Sequence, residues 1–548
     1  MRSIYHNAFM VISWMGPDGG RIPSAIKWLS LIASELRRKL RRKPDNDVFT
    51  WMSRYPELFR VDREGPLGNK VWNAIDHFLC LPHWRRVRIL QEMVLAKSLW
   101  MISGDAFIDY DSLTMVWRWS DIIRYEPFLR PSFFPSPLWN KLALPGYVAW
   151  SALRTASGYR NGIYDSLKNP YGDARKLSAV LYTMSYRASD PRDKTHGLLG
   201  LIESDIVPNY SRPMADVFCE LAQKLLKEIG SLEFLSIAGI GTGNENAFGL
   251  ASWVPDWHEI SFRDLPIMPP QPYRADEGIR GFFSGDAFNP RGRTLFARGT
   301  VCETVHSVEP VLDDRGFFRF CCDYASRDDE GGEKIYITGI PRMQAIFRTI
   351  LMDVDPKTGS RLSPSLSEHR LAFEFIRDMI PLDDIQNGAA LLALLGLELG
   401  EKFLESYRKR FFGTTGFPDN TPDDILQLIL ETSLRFDMIN TPEDFLLLWL
   451  DISQQGYSRW SVYVRIGQAL EHHRFFHTAG GCLGLGPPAA LPGDLVCVLS
   501  GCTMPLVLRR VSAGYVLVGQ CHVLGLMDGE GAQPIRDGRA KIMEFEVA

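Results

Sequence analysis

The residues best suited to chemistry lie in one short segment, residues 188–201, which reads ASDPRDKTHGLLGL. Asp190 is of a type that caps helices, and Pro191 fits the first position of a helix because it needs no backbone donor there. Asp193 adds a second carboxylate beside the exposed N–H groups of a first helical turn, where negative charge is favourable. The segment therefore predicts a helix that starts at Asp190.

The two cations of the same segment, Arg192 and Lys194, follow the capping residue at alternate positions. We expect both side chains to project outward from the helix, where each is available for an ion pair. From residue types alone, the segment is a structural element and does not indicate a catalytic site.

Most signatures of catalysis are absent from the sequence. It contains no Gly-x-Ser-x-Gly, no His-Glu-x-x-His and no phosphate-binding loop of the Walker type. The glycine-rich run Gly239–Gly243 lacks the spacing of a dinucleotide site, which favours a loop. His472 and His473 are adjacent, so they cannot both face one metal ion from a helix. We therefore expect no metal ion and no cofactor.

The nine cysteines are sparse and irregularly spaced. No Cys-x-x-Cys pair occurs, and the spacing of Cys497 and Cys502 has no cluster that would complete a zinc site. Reduced thiols in the protein core are the simplest interpretation.

Composition excludes several classes of protein. The 61 basic and 65 acidic residues give a net charge of -4, whereas a dedicated nucleic-acid binder needs a basic surplus. The longest apolar runs, Ala389–Leu397 and Phe445–Leu450, are far shorter than the roughly 20 residues that span a bilayer. We also see no signal peptide. These features predict a cytoplasmic protein.

The basic run Arg37–Lys43 could direct the chain to the nucleus, but it is also typical of a solvated last helical turn.

In the first hundred residues, the sequence predicts a strand and two helical regions. Ala8–Trp14 is apolar enough for a buried strand and ends at a Gly-Pro turn. An amphipathic helix follows from about Pro23 to Leu40. A second helical region is predicted over Val71–Lys97, with a break at Pro82.

The remaining chain divides by composition into five further segments. Residues 125–150 are rich in proline and aromatic residues and predict a rigid linker. Glycine-separated short strands predict a small antiparallel unit at the C-terminus. The predicted order is 1–124, the linker 125–150, a helical segment 151–260 that carries the Asp190 motif, a β-rich segment 261–335, a helical region 336–470 and the β unit 471–548.

Five elements of the chain resemble the heterokaryon-incompatibility (HET) domain family of fungi. Residues 188–201 are similar to the family's Ala-x-Asp-Pro-Arg-Asp hallmark, which runs into an apolar "LLGL" helix. Residues 4–17 resemble its "IYxxAxxVixWLGp" strand, and Arg86–Glu92 resembles its "RvWvvQE" helix, so that Gln91 and Glu92 match the Gln-Glu pair. Trp253–Trp257 is similar to its "sWvPDW" element. Residues 493–494, 505–509 and 525–530 also match the order seen near the C-terminus of such proteins.

The sequence departs from the family at two places. Two strands that usually precede the Ile4–Pro17 element, of the form "ALSYvWG" and "IDaiCINQ", do not occur in the chain. Set against the family, the chain is therefore expected to be N-terminally truncated, with the leading strands of its first sheet missing. In the Gln-Glu helix, Arg88 also replaces the family's tryptophan.

The resemblance implies a fold and two functions. The fold is α/β, a remnant of a TIR- or flavodoxin-like parallel sheet with flanking helices, followed by a helical middle and an antiparallel β unit. The first function is self/non-self recognition linked to programmed cell death, through an unidentified protein partner. The alternative is NAD hydrolysis of the kind known from some TIR domains, for which Glu92 is the candidate glutamate. A simpler role for Glu92 is an ion pair with Arg86 or Arg88 on the helix surface.

Overall fold

A computed structural model of the chain separates into two compact units. The first comprises residues 1–221 and 257–259, and the second comprises residues 222–256 and 260–548. The structure describes the following residues: 2–17, 20–40, 49–62, 65–125, 130–136, 138–139, 147–160, 168–169, 172–173, 186–201, 205–241, 248–258, 272–326, 334–355, 360–362, 371–372, 375, 394–395, 397, 403–413, 466–467 and 469–548.

The first unit combines helices with a small sheet. Its helices are α1 (Arg2–Asn7), α2 (Arg21–Leu40), α3 (Lys70–Leu79), α4 (Ile89–Leu95), α5 (Tyr110–Tyr125), α6 (Tyr147–Arg160) and α7 (Asp193–His196). Its strands are β1 (Val11–Trp14), β2 (Leu99–Ser103), β3 (Ala106–Asp109), β4 (Lys168–Asn169) and β5 (Gly172–Asp173). Helix α8 (Met214–Ile229) continues into the second unit.

The predicted helices of this unit form for the reasons that the sequence suggests. Helix α2 buries the apolar stripe that begins with Ile26 and Leu29. Asn69 caps α3, since its side-chain oxygen accepts the backbone N–H of Trp72 at 3.0 Å. The break predicted at Pro82 is a short 3₁₀ turn, which separates α3 from α4.

The sheet of the first unit has the order β1-β2-β3. Strands β1 and β2 are parallel, with Ser13 opposite Met101, whereas β2 and β3 are antiparallel. A TIR- or flavodoxin-like parallel sheet is therefore not confirmed, because only one of the two pairings in this sheet is parallel.

One face of this sheet is largely uncovered. Because side chains alternate along a strand, Ile12 and Trp14 point away from the buried Ser13, and Phe107 of β3 lies on their side. Their relative exposures are 54%, 66% and 58%. We call this surface, together with the neighbouring Trp100, the outer sheet face.

The second unit is built around strands from two distant parts of the chain. Its strands are β6 (Phe288–Arg291), β7 (Thr294–Val308), β8 (Arg474–Thr478), β9 (Leu483–Gly486), β10 (Leu495–Leu499), β11 (Leu506–Val511), β12 (Gly514–Gln520), β13 (His522–Val523) and β14 (Met543–Val547). Its described helices are α9 (Asp314–Tyr324), α10 (Arg342–Ile350), α11 (Phe403–Phe412) and α12 (Gln533–Arg536).

Five of these strands form a closed ring. Strand β7 pairs with β10 and β14, β10 pairs with β11, β11 with β12, and β12 with β14. The β12–β14 pairing is parallel and the other four are antiparallel. The far end of β7 continues into a second sheet through β8, β9 and β13. The mostly antiparallel C-terminal sheet that the sequence predicts is thus present, but β7 from the predicted segment 261–335 belongs to it.

Several predictions fall partly outside the described residues. Most of the linker 125–150, most of the helical region 336–470 and the cations 41–43 of the basic run belong to this group. Among the described helices, none is both long and apolar enough to cross a membrane.

Two buried histidines of the second unit should make it sensitive to acid. Burial lowers the pKa of His473 to about 4 and that of His522 to about 3, and the nearby Arg361 and Arg348 add to the effect at His522. Both histidines are neutral in the folded state, whereas an unfolded histidine takes up a proton near pH 6.5. The free energy of unfolding should therefore be unaffected above that pH and fall as the pH drops from about 6.5 toward 4, by about 1 kcal/mol per pH unit for each histidine.

Urea unfolding at several pH values measures this effect. We expect His522→Leu to flatten the dependence below pH 6.5, whereas His306→Leu, at an exposed position of β7, should leave it unchanged. An identical pH dependence in the His522→Leu protein and the unaltered protein would contradict the assignment.

Candidate functional site

Helix α4 and the segment around the Asp190 motif lie side by side in the first unit. The backbone N–H of Val87 donates to the carbonyl of Arg187 at 3.1 Å, and Arg86 and Arg187 form an isolated parallel bridge. Two segments that the sequence separates by about a hundred residues are thereby fixed next to each other.

An ion pair joins the two segments. An Nη of Arg88 lies 2.8 Å from Oδ1 of Asp193 and 3.1 Å from the hydroxyl of Tyr210, and that hydroxyl donates to the same Asp193 oxygen at 2.5 Å. Burial, followed by the Asp193 carboxylate, raises the pKa of Tyr210, so its hydroxyl stays protonated and able to donate. Arg88 thus occupies the family's tryptophan position with a polar contact in place of an aromatic one.

The other two charged residues of the motif pair with each other. Nε and an Nη of Arg192 lie 2.9 and 2.8 Å from the two oxygens of Asp190, and this contact lowers the pKa of Asp190. The remaining Nη of Arg192 donates to the carbonyls of Tyr210 and Arg212. Arg192 is therefore half-buried against the segment that carries Tyr210, so the prediction that it projects outward is wrong.

The predicted outward position of Lys194 is also wrong. Lys194 is only 3% exposed, and its ammonium group donates to the carbonyl of Tyr186. The helix begins at Asp193, so Lys194 lies on its inner side, which the sequence spacing does not reveal. Asp190 likewise precedes the helix: its carboxylate accepts the backbone N–H of Arg192 at 3.0 Å and closes a turn, with Arg192 at the cap position.

Gln91 explains the glycines of the motif. Its side-chain amide is buried and donates to the carbonyl of Gly197 at 2.6 Å. A Cβ on Gly200 would lie 3.0–3.2 Å from the Gln91 amide atoms, and a Cβ on Gly197 would meet a backbone oxygen at 2.6 Å. Gly200 therefore allows the turn to approach α4 closely, whereas the oxygen nearest to Gly197 is the Asp193 carbonyl within the motif itself.

Glu92 faces the sheet and not the arginines. Its two carboxylate oxygens accept from the Ser13 hydroxyl at 3.0 Å and from the Tyr5 hydroxyl at 3.4 Å. Burial and the Glu92 charge together raise the pKa of Tyr5, which keeps that hydroxyl protonated. Arg88 pairs with Asp193, and the described contacts of the Glu92 carboxylate are with Ser13 and Tyr5, so the simpler interpretation, an ion pair of Glu92 with Arg86 or Arg88, is wrong.

We call Arg88, Gln91, Asp190, Arg192, Asp193 and Tyr210 the motif clamp. Its polar groups are bonded mainly to one another and to backbone carbonyls, so they connect α4 to the motif and to the segment around residue 210. The sequence indicated Gln91, Asp190, Arg192 and Asp193. It marked Arg88 only as a departure from the family, and it did not indicate Tyr210. Tyr210 lies in an ordinary polar loop, and no local pattern singles it out. Ser13 is a polar residue on the buried side of an apolar strand, and that alternation could have identified it.

The other sequence candidates have mainly structural positions. Arg37 and Arg38 of the basic run pair with Asp109 and Glu35 at 3.4 and 2.8 Å, as expected for a last helical turn. All nine cysteines are free thiols, and most are buried. No group of three His, Cys, Asp or Glu side chains that could hold a metal ion occurs among the described residues.

The turn at Asp190 gives a test of the motif's structural role. We expect Asp190→Ala to lower the free energy of unfolding by about 1 kcal/mol, because it removes the acceptor of the Arg192 N–H and the partner of the Arg192 side chain. Asp190→Asn keeps the acceptor and should recover most of the loss in chemical denaturation. Equal destabilisation by Ala and Asn would show that the charge, not the turn, is what matters.

Two comparisons with known proteins found a match. Residues 448–539 match the family described as the Het-6 beta-barrel domain, which covers β8 to β13 of the second unit. The chain is also similar to heterokaryon incompatibility protein 6, OR allele, of Neurospora crassa, with 22% identity over 594 aligned positions that cover 97% of this chain and 78% of the relative. No solved structure matches the chain. The similarity extends over 97% of the chain, and the two comparisons together support a protein of the heterokaryon-incompatibility family.

Proposed function

We propose that this protein acts in fungal heterokaryon incompatibility, as a self/non-self signalling component in the cytoplasm of fused cells that promotes programmed cell death. It does so by binding a protein partner rather than by turning over a metabolite. The relative from Neurospora crassa, named as a heterokaryon incompatibility protein, supports this role.

The observation that carries the proposal is the motif clamp. The hallmark carboxylates Asp190 and Asp193 are engaged by Arg192 and Arg88, and Gln91 is engaged by the Gly197 carbonyl. These contacts hold α4, the Asp190 motif and the segment around residue 210 in one arrangement. Because the polar groups already bond to one another, few of them are left to bind a substrate. The clamp therefore suits a module whose surface must keep its shape for a partner.

Expression in fungal strains tests the proposal. The gene would be introduced into a panel of strains that differ at incompatibility loci, and the fraction of cells that take up a vital dye would be counted. We expect death in some strains but not others, and its loss in an Arg88→Gln/Asp193→Asn protein. Lys27→Gln, which removes an exposed cation of the same unit, is the matched control. Equal viability in every strain would contradict the proposal.

NAD hydrolysis is the second candidate, since Glu92 is half-buried beside the sheet and lies outside the ion pairs of the motif clamp. A catalytic carboxylate must reach its substrate with a supporting shell that holds it within about 0.5 Å. Here both oxygens of Glu92 accept hydroxyl groups of the protein. We expect the purified chain to release no more nicotinamide from NAD than a Glu92→Gln protein does. Turnover that disappears in Glu92→Gln would make the protein an enzyme.

A further inference from the structure

A cavity of about 750 Å³ lies in the first unit, away from the motif clamp. Its walls come from α2, the start of β2, the end of β3, and helices α5 and α6. A volume of this size matches the clefts that hold small organic molecules.

Much of the wall is apolar and rigidly supported. Leu36, Leu99, Met115 and Trp119 contribute to it. The Trp119 ring packs 5.7 and 5.6 Å from two aromatic rings on its other side, those of Phe49 and Trp51. Trp119 is only 4% exposed, so its packing holds the wall in place, and the apolar surface of the cavity is shared among several side chains.

The charges around the cavity favour an anion. Lys97 and Arg118 are exposed at its rim, and neither has a carboxylate partner among the described residues. Arg160 lies over the Tyr110 ring, 4.5 Å from its centroid. Of the two acidic residues, Asp109 is engaged by Arg37 and Ser112, which leaves Asp111 as the opposing charge.

We propose that this cavity binds a small molecule that has an apolar ring system and one anionic group. The ring lies on the apolar wall beside Met115, and the anionic group lies between Lys97 and Arg118. A bulky cation would face four positive side chains, those of Lys39, Lys97, Arg118 and Arg160, against two carboxylates, and is disfavoured.

Two dyes that differ in one group test the proposal. The probe is 1-anilinonaphthalene-8-sulfonate, and its neutral counterpart is N-phenyl-1-naphthylamine, which has the same rings without the sulfonate. Equilibrium fluorescence titration of the full chain should show one saturable site that prefers the sulfonate by about fivefold or more. In Arg118→Gln the preference should disappear, while the neutral dye still binds. Lys27→Gln, an exposed cation outside the cavity, should behave as the unaltered chain does.

Cavity filling distinguishes this site from other apolar surfaces. Met115→Trp occupies the cavity and should abolish saturable binding of both dyes, with folding checked by circular dichroism. Phe107→Ser alters the outer sheet face and should leave dye binding intact. The proposal is overturned if no saturable site is found, if Arg118→Gln keeps the sulfonate preference, or if Phe107→Ser rather than Met115→Trp removes binding.

Discussion

A protein that carries Ile12→Lys and Trp14→Glu is expected to stay monomeric at concentrations at which the unaltered chain associates. Both side chains are more than half exposed on the outer sheet face. Strand β1 is also the last strand of its sheet, and no described strand pairs with its outward edge. An apolar edge strand with unpaired backbone groups is a template for pairing with another chain. The two charges interrupt both the apolar face and the edge.

Sedimentation velocity over a range of protein concentrations measures this effect. Val207→Lys is the matched control, since it places a charge at a more exposed apolar residue of the same unit, away from the sheet. We expect it to associate like the unaltered protein. A concentration-independent monomer from the unaltered chain would contradict the expectation, as would undiminished association of the double variant.

The second large effect is expected at Asp353, a buried carboxylate of the second unit. Asp353 is 1% exposed and lies 2.6 Å from Arg348 and 2.7 Å from Arg361. Because its removal leaves two arginines close together in the interior, Asp353→Ala should lower the free energy of unfolding by about 3–5 kcal/mol. Chemical denaturation, followed by the transition of the second unit, measures the loss.

The backbone at this position allows charge and conformation to be separated. Met352 and Asp353 have φ values of 51° and 56°, in the left-handed region that only glycine and, to a lesser extent, Asn and Asp adopt readily. Asp353→Gly relieves that constraint but removes the charge, whereas Asp353→Asn keeps the conformation and the shape. If the loss of the charge dominates, Asp353→Gly and Asp353→Asn should each lower the free energy of unfolding nearly as much as Asp353→Ala does.

Asp528 supplies the control for this network. It also pairs with Arg361, at 2.8 Å, but is 57% exposed. Surface pairs contribute about 0–1 kcal/mol, so Asp528→Ala should cost far less than Asp353→Ala. Similar losses at the two sites would show that burial does not control the strength of the network.

The spacing of apolar residues and short sequence motifs were enough to predict those elements whose formation depends on residues close together in the sequence. Helix α2 follows from its apolar periodicity. The family motifs also located α4 and the Asp190 segment of the motif clamp, because those residues are recognisable without their partners, but not the segment that carries Tyr210. Each of these signals lies within a few turns of helix or one strand.

Contacts between distant segments could not be predicted in the same way. Glu92 bonds to Ser13 and Tyr5 because β1 is parallel to β2, and that pairing is not written in either segment. Lys194 is buried by the carbonyl of Tyr186, a backbone group that has no sequence signature. The partners of a polar residue are determined by the topology, whereas its type is determined by the sequence.

The closed ring of the second unit has a consequence for synthesis on the ribosome. Strand β7 (Thr294–Val308) must pair with β10 (Leu495–Leu499) and with β14 (Met543–Val547), which are made much later. One ring edge of β7 lacks its partner until residues 495–499 leave the exit tunnel, and the other lacks it until residues 543–547 do. Non-local strand pairing of this kind is slow and exposes apolar surface while it waits. The ring therefore cannot close until about 240 residues after β7 have been translated, which makes the waiting edge of β7 the part of this unit most exposed to wrong pairing during synthesis.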